Sequence, residues 1–188
     1  MLLTDYFRSK RDLTWDIARQ CGVKYGVIRL PETGDFDYTD SRHWETVYKR
    51  FTDYGIIPKL LEPMPNELHD HIKAGDAHRD EAIEKVLAML PIMQKLGIDT
   101  ICFNFMAYVG WTRTNCHLPE RGGAYVTGFD PKDYRPTADS ISEEELWEHY
   151  TYFIKAILPE AERYGIRLAL HPDDPPVSRL GNVSRIMT

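Results

Sequence analysis

One unit recurs along this chain and restricts its fold more than any single motif: an amphipathic helical stripe, then a glycine, then a short apolar run that stops at a polar residue. Trp44, Val47, Tyr48 and Phe51 form the first stripe, closed by Gly55 before Ile56-Ile-Pro-Lys-Leu-Leu-Glu62. Ile83, Val86, Leu87, Leu90 and Met93 form the second, closed by Gly97 before Ile98-Asp-Thr-Ile-Cys-Phe-Asn104. Leu146, Tyr150, Phe153, Ile154 and Ile157 form the third, closed by Gly165 before Ile166-Arg-Leu-Ala-Leu-His171. The spacing is that of a helix covering a sheet, and a glycine suits the left-handed position that ends such a helix. Ser142 and Glu145 read as a capping box for the third helix. A short helix near Asp12 to Gln20 separates two further apolar runs, Leu2 to Phe7 and Val23 to Arg29. About five strands alternating with helices predict a parallel sheet.

Two parallel architectures compete, a doubly wound open sheet and a (β/α)8 barrel. No G-x-G-x-x-G or P-loop follows a strand, which disfavours the nucleotide-binding open sheet. Polar residues stand instead at the ends of different strands, Arg29, Glu62, Asn104 and His171, and TIM-barrel active sites are assembled in that way. Such barrels need about 250 residues, whereas this chain has 188. The expectation is therefore one incomplete α/β barrel domain over residues 1–188, supplying roughly the first five strand-helix units.

Composition narrows the function classes. A net charge of -6 with no basic block argues against a nucleic-acid surface. No apolar run approaches the roughly 20 residues that span a bilayer, and the N-terminus lacks signal-peptide character, so a cytoplasmic location is expected. Cys21, Cys102 and Cys116 show no C-x-x-C spacing, which disfavours a disulfide framework.

The chemistry concentrates in two segments. In Leu168-Ala-Leu-His-Pro-Asp-Asp-Pro-Pro176 an apolar strand delivers His171 to a sheet end, and prolines forbid continuation. His171 is a candidate metal ligand, with Asp173 or Asp174 orienting it or ligating directly; the plainer reading is a capped turn. After Asn104 no helix is evident until about Ser142, and so long a loop is usually functional. Within it, Arg113 has a fork suited to a carboxylate and Trp111 a face for a sugar-like chain; alternatively they form a surface ion pair and loop packing. Gly122 and Gly123 offer hinge points for a lid. Glu62 and Arg29, at strand ends, either meet a ligand or neutralise a neighbouring charge. His69-Asp-His71 is read as a loop pair, metal-binding or merely solvated. Cys102 is expected to be a buried thiol, and Asp139 and Glu143 to Glu145 helix-start charges.

Cys102-Phe-Asn-Phe-Met106, Trp111-Thr-Arg-Thr114 and His171-Pro-Asp-Asp-Pro-Pro176 together resemble the mannonate dehydratases, metal-dependent barrels of the xylose-isomerase-like group. Glu62-Pro-Met-Pro65, Ile72-Lys-Ala-Gly75 with Arg79-Asp80, and Leu146-Trp-Glu148 with Tyr152-Phe153 share the likeness. The resemblance implies loss of water from D-mannonate to give 2-keto-3-deoxy-D-gluconate in hexuronate breakdown, with Mn²⁺ or Fe²⁺. It makes His171 the first metal ligand, with a Cys, a His and an Asp expected on strands beyond Thr188. Arg113, Asp173 and Asp174 are then candidates for catalysis, and Trp111, Arg113, Asn104, Glu62 and Arg29 for holding the sugar acid. The opening Leu3-Thr-Asp-Tyr-Phe7 and the insert from Leu118 to Phe129 depart from the family pattern at the substrate end. A lone imidazole holds no catalytic ion, so residues 1–188 by themselves are expected to be inactive and the full-length protein a possible homo-oligomer. Competing readings are a sugar isomerase or epimerase on the same barrel, which has no acid group for Arg113, and a non-catalytic sugar-acid-binding barrel.

Overall fold

Each predicted strand forms, and the four after the first stop one residue short of their polar termini, Arg29, Glu62, Asn104 and His171. The computed structural model describes residues 2–32 and 34–188. In chain order the elements are β1 Thr4–Phe7, α1 Leu13–Gln20, β2 Tyr25–Ile28, α2 Ser41–Asp53, β3 Ile57–Leu61, α3 Asn66–Ala74, α4 Arg79–Leu96, β4 Thr100–Phe103, β5 Asn115–Pro119, β6 Tyr125–Gly128, β7 Ser140–Ile141, α5 Glu143–Tyr164, β8 Arg167–Leu170, β9 Arg179–Leu180 and β10 Asn182–Ser184.

The main sheet has the order β1-β2-β3-β4-β8, parallel throughout. A doubly wound sheet reverses its strand order at a switch point; this one advances in a single direction, as a barrel wall does. One sheet face is sealed by helices: Phe7, Ile28, Leu61, Ile101 and Phe103 are buried there. Trp15 of α1 stacks on Phe51 of α2 at 4.4 Å and meets Phe7 edge-on at 5.9 Å, which ties both helices to β1. Phe103 packs edge-on against Phe153 of α5 at 5.7 Å. Burying one such ring contributes roughly 1.5 to 3 kcal/mol. The opposite face, carrying Val27, Leu60, Cys102 and Ala169, is only partly covered.

The helices begin and end as their sequences dictate. The Asp12 and Asp40 side chains accept from the amides of Thr14 and Arg42, and Ser142 with Glu145 forms the complete capping box. Gly97 and Gly165 close α4 and α5 with φ of 71° and 67°. A left-handed cap of this kind satisfies the last carbonyls without a Cβ clash.

Two expectations are corrected. His69-Asp-His71 lies inside α3, not in a loop, so its two rings leave the helix on different faces. His69 is fully buried among Phe103, Phe105 and Phe153, whereas His71 is paired with Asp76 at 2.7 Å, so the two do not converge on one ion. The segment between Asn104 and Ser142 is not structureless either: β5 and β6 form an antiparallel hairpin whose tip contains Gly122 and Gly123, with φ of 70° and 78°. Those glycines close a turn in the hairpin, and its base returns to Arg113 through Thr127. A second small sheet, β7-β10-β9, draws the residues after His171 back beside the start of α5.

Candidate active site

The strand ends open onto a cavity of about 720 Å³ lined by Tyr6, Arg8, Glu62, Cys102, Asn104, Trp111, His171 and Asp174, among others. Three of these, Glu62, Asn104 and His171, are the residues immediately after β3, β4 and β8. A parallel sheet whose strands advance in one direction must bring such positions together, because every strand terminates on the same rim.

His171 is held by its own backbone. Its amide donates to the Phe103 carbonyl at 2.7 Å, extending the β4–β8 ladder, and its Nδ1 lies 2.5 Å from the Pro172 carbonyl. A carbonyl only accepts, so Nδ1 is the donor here, and in the neutral imidazole Nε2 is the nitrogen that keeps its lone pair. That tautomer suits Nε2 to a metal or to a substrate hydroxyl. The expected orienting partners are therefore corrected: neither Asp173 nor Asp174 holds the ring.

Asp173 is buried, and its Oδ2 accepts from the amides of Ile186 and Met187 at 3.2 and 3.0 Å. Through these two amides it folds the following chain back. Asp174 forms a two-pronged pair with Arg113, both contacts at 2.7 Å. The Arg113 hydrogen bonds hold the Asp174 carboxyl below the usual carboxylate range. Arg113 also donates from Nε to Thr127 at 3.1 Å and lies 4.4 Å over the Trp111 ring. The fork expected to be free for a carboxylate ligand is thus occupied by a carboxylate of the protein. Trp111, 59% exposed, remains accessible at the cavity mouth.

Burial, followed by the nearby Glu62 carboxylate, pushes the Cys102 thiol pKa up to about 11. A thiol so shifted is a poor nucleophile at neutral pH, and Cys102 lies half-buried at the cavity wall rather than sealed in the core. Asn104 Oδ1 accepts from the Met106 amide at 3.2 Å, which leaves its NH₂ group as a donor. Arg29 is ion-paired with Glu32 and lines a neighbouring cavity of about 520 Å³ instead. The two cavities share Pro63, Asn104, Met106 and Trp111, so the tryptophan stands between them.

Behind the site lie His69, expected in a loop pair, and three residues that sequence reading did not single out, Lys73, Arg185 and Tyr134. His69 has neither ring nitrogen partnered, and burial, then Lys73, holds its pKa well below 6.5. Lys73, 4% exposed in its side chain, reaches Asp70 at 2.8 Å, and burial lowers its pKa. Arg185 and Tyr134 each bury polar atoms without a partner. Among the described residues no group of three or more His, Cys, Asp or Glu side chains could hold a metal ion. His171 contributes one donor, and one donor does not make a divalent-ion site.

The family model for D-mannonate dehydratase (UxuA) matches residues 2–140 and 132–188. The mannonate dehydratase of Streptococcus equi subsp. zooepidemicus is 35% identical over 162 residues, covering 71% of this chain and 44% of the relative. Mannonate dehydratase 2 of Halalkalibacterium halodurans is 35% identical over 162 residues, covering 72% and 46%. The crystal structure of mannonate dehydratase from Streptococcus suis serotype 2 superposes with a TM-score of 0.85 at 29% identity, over 100% of this chain and 56% of that one. A D-psicose 3-epimerase superposes at 0.59 with 14% identity, over 96% and 55%, which is a likeness of fold alone. The chain spans about half the length of the curated relatives it matches.

Proposed function

The chain belongs to the D-mannonate dehydratase family, and from that premise we propose that it forms the substrate-facing part of a hydro-lyase converting D-mannonate to 2-keto-3-deoxy-D-gluconate. The observation that carries this reading is the convergence of Glu62, Asn104, Trp111 and His171 on one cavity. The donor and acceptor pattern is that of a polyol site. Glu62 accepts from substrate hydroxyls, the free NH₂ of Asn104 donates to them, and Trp111 covers the carbon chain. Dehydration removes the proton alpha to the carboxylate and expels the neighbouring hydroxyl. His171 Nε2, left with its lone pair by the Nδ1 contact to the Pro172 carbonyl, accepts a hydrogen bond from a substrate hydroxyl and so orients the sugar acid in the cavity. For the substrate carboxylate to reach Arg113 it must displace Asp174, so this ion pair sets part of the cost of binding.

Mn²⁺ or Fe²⁺ dependence remains part of the proposal, with His171 as one ligand. The described residues do not by themselves fit such an ion. The same reading takes a small sugar acid as partner, disfavours nucleic acid on the net charge of -6, and favours a cytoplasmic homo-oligomer; among the described residues no helix is long and apolar enough to cross a bilayer.

The test is turnover of D-mannonate by the full gene product supplied with Mn²⁺ or Fe²⁺, following 2-keto-3-deoxy-D-gluconate. His171→Asn keeps size and polarity but loses the nitrogen donor, and is expected to reduce kcat/KM by at least about 100-fold. Near-normal turnover in that variant would remove His171 from the reaction. Conversion of ketoses without any action on mannonate would instead favour an epimerase.

A further inference from the structure

The two segments that carry site residues are joined on both sides. On the cavity side the link is the Arg113–Asp174 pair. On the hidden side it runs through Arg185, 3% exposed, whose Nη2 donates to the Gly110 carbonyl at 3.0 Å. Gly110 directly precedes Trp111. Two residues earlier Tyr108 has a φ of 56°, a left-handed conformation that a residue with a Cβ adopts only when its surroundings hold it there. Arg185 is itself fixed from the other segment: its amide donates to the Ser178 carbonyl at 2.9 Å, and the next two amides go to Asp173 Oδ2. Asp173 closes the loop by donating its own amide to the Met187 carbonyl at 2.9 Å. Among the described residues Arg185 Nε and Nη1 and Asp173 Oδ1 have no hydrogen-bond partner and no ion pair joins the two side chains; both are buried, and Asp173 braces Arg185 through the backbone amides that its Oδ2 accepts.

We propose that Arg185 is a positioning residue: braced by Asp173, it holds the Gly110 carbonyl and so fixes the segment carrying Trp111 and Arg113 against the segment carrying His171 and Asp174. A buried guanidinium is costly to desolvate, and a core needing only volume at this point would be filled by an apolar side chain. What the guanidinium supplies is direction, since its planar fork fixes the angle of the carbonyl it holds. The inference rests on the proposed dehydratase site for its kinetic consequence and on geometry alone for its structural one.

Two measurements on the full gene product test it. Hydrogen exchange needs no turnover. Arg185→Met is expected to speed exchange of the amides of residues 107–113 and of Asp173 and Asp174 about 10-fold or more while leaving the α2 amides unchanged. Uniform acceleration across the chain would reduce Arg185 to a general contributor to stability and overturn the proposal. Kinetics then use a double-mutant cycle. Arg185→Met is expected to lower kcat/KM for D-mannonate about 10- to 100-fold in the parent, the loss typical of a charged hydrogen bond, but less than about 3-fold in an Arg113→Met background. Losses that multiply would overturn it as well. Arg185→Lys, which keeps the charge without the fork, is expected to behave like the methionine variant, and it decides the cycle if that variant fails to fold. A parent protein inert toward mannonate whose Arg185→Met variant still loosens residues 107–113 selectively would refute the dehydratase reading and leave the brace standing.

Discussion

The wall of this structure and its rim are held by different forces. In the wall, Trp15, Trp44, Phe51, Phe103 and Phe153 are buried to within 2% of full coverage, and Trp15 stacks on Phe51 while Phe103 meets Phe153 edge-on. Such contacts are strong in sum and weak in direction. At the rim the fixing contacts are few and polar: Arg113 with Asp174, Asp173 with two backbone amides, Arg185 with one carbonyl. Apolar burial sets how far apart elements lie, and hydrogen bonds set how a side chain is turned. A site that must aim Nε2 of His171 and the Trp111 face therefore belongs where the apolar core gives way to directional contacts.

The contrast is broken most readily at Phe153. Phe153→Ala is expected to cost about 3 to 5 kcal/mol in a urea titration, since it removes a fully buried ring shared by β4 and α5. A loss below about 1 kcal/mol would mean that the wall is not held by such rings. A smaller effect comes from His69, the polar exception inside the wall. Its folded-state pKa lies well below 6.5 because of burial and then Lys73, so below pH 6.5 the unfolded chain takes up a proton that the folded chain refuses. The stability is fully present above pH 6.5 and is lost as pH falls below it, by up to about 1.4 kcal/mol per pH unit. Urea midpoints between pH 8 and 5 measure this slope, and His69→Leu should flatten it; an unchanged slope in that variant would assign it to other groups. The smallest effect is expected at the rim. Asp174→Asn should cost only about 0.5 to 1 kcal/mol, because the Arg113–Asp174 pair is partly solvated at 15% and 31% side-chain exposure. A loss of several kcal/mol there would make the rim as important to stability as the wall.

Sequence reading recovered what is locally periodic. The stripes from Trp44, Ile83 and Leu146, the glycines that end them and the capping box at Ser142 are all patterns within one turn or two of helix. The helix α3 escaped because only Leu68 and Ile72 mark its apolar face, while His69 and Lys73, polar in sequence, fill the rest of the buried surface. Leu68 and Ile72 at i, i+4 followed by Gly75 were the available signal. The hairpin escaped because its strands are exposed along nearly their whole length and carry little alternation; Arg121-Gly-Gly123 was its one turn signal. The cavity residues at strand ends were legible, since a parallel sheet forces them together. Their partners were not. Arg113 is 61 residues from Asp174, and Arg185 is 75 from Gly110, so no local pattern encodes either pairing.

The unreversed strand order turns the sequence into a ruler. Arg29, Glu62, Asn104 and His171 follow successive strands of the sheet in the order in which they are translated. Anything inserted between two of these marks changes the height of the mouth but not which marks are neighbours: Phe103 pairs directly with Leu170 although a hairpin and a helix of 22 residues intervene. Adjacent marks stand one strand spacing apart, about 4.8 Å. A molecule that touches both Glu62 and His171 must therefore reach across two spacings, roughly 10 Å, less what the side chains themselves extend. Trimming a sugar acid from its far end one carbon at a time would then show a step, not a slope, at the length where the second mark is lost.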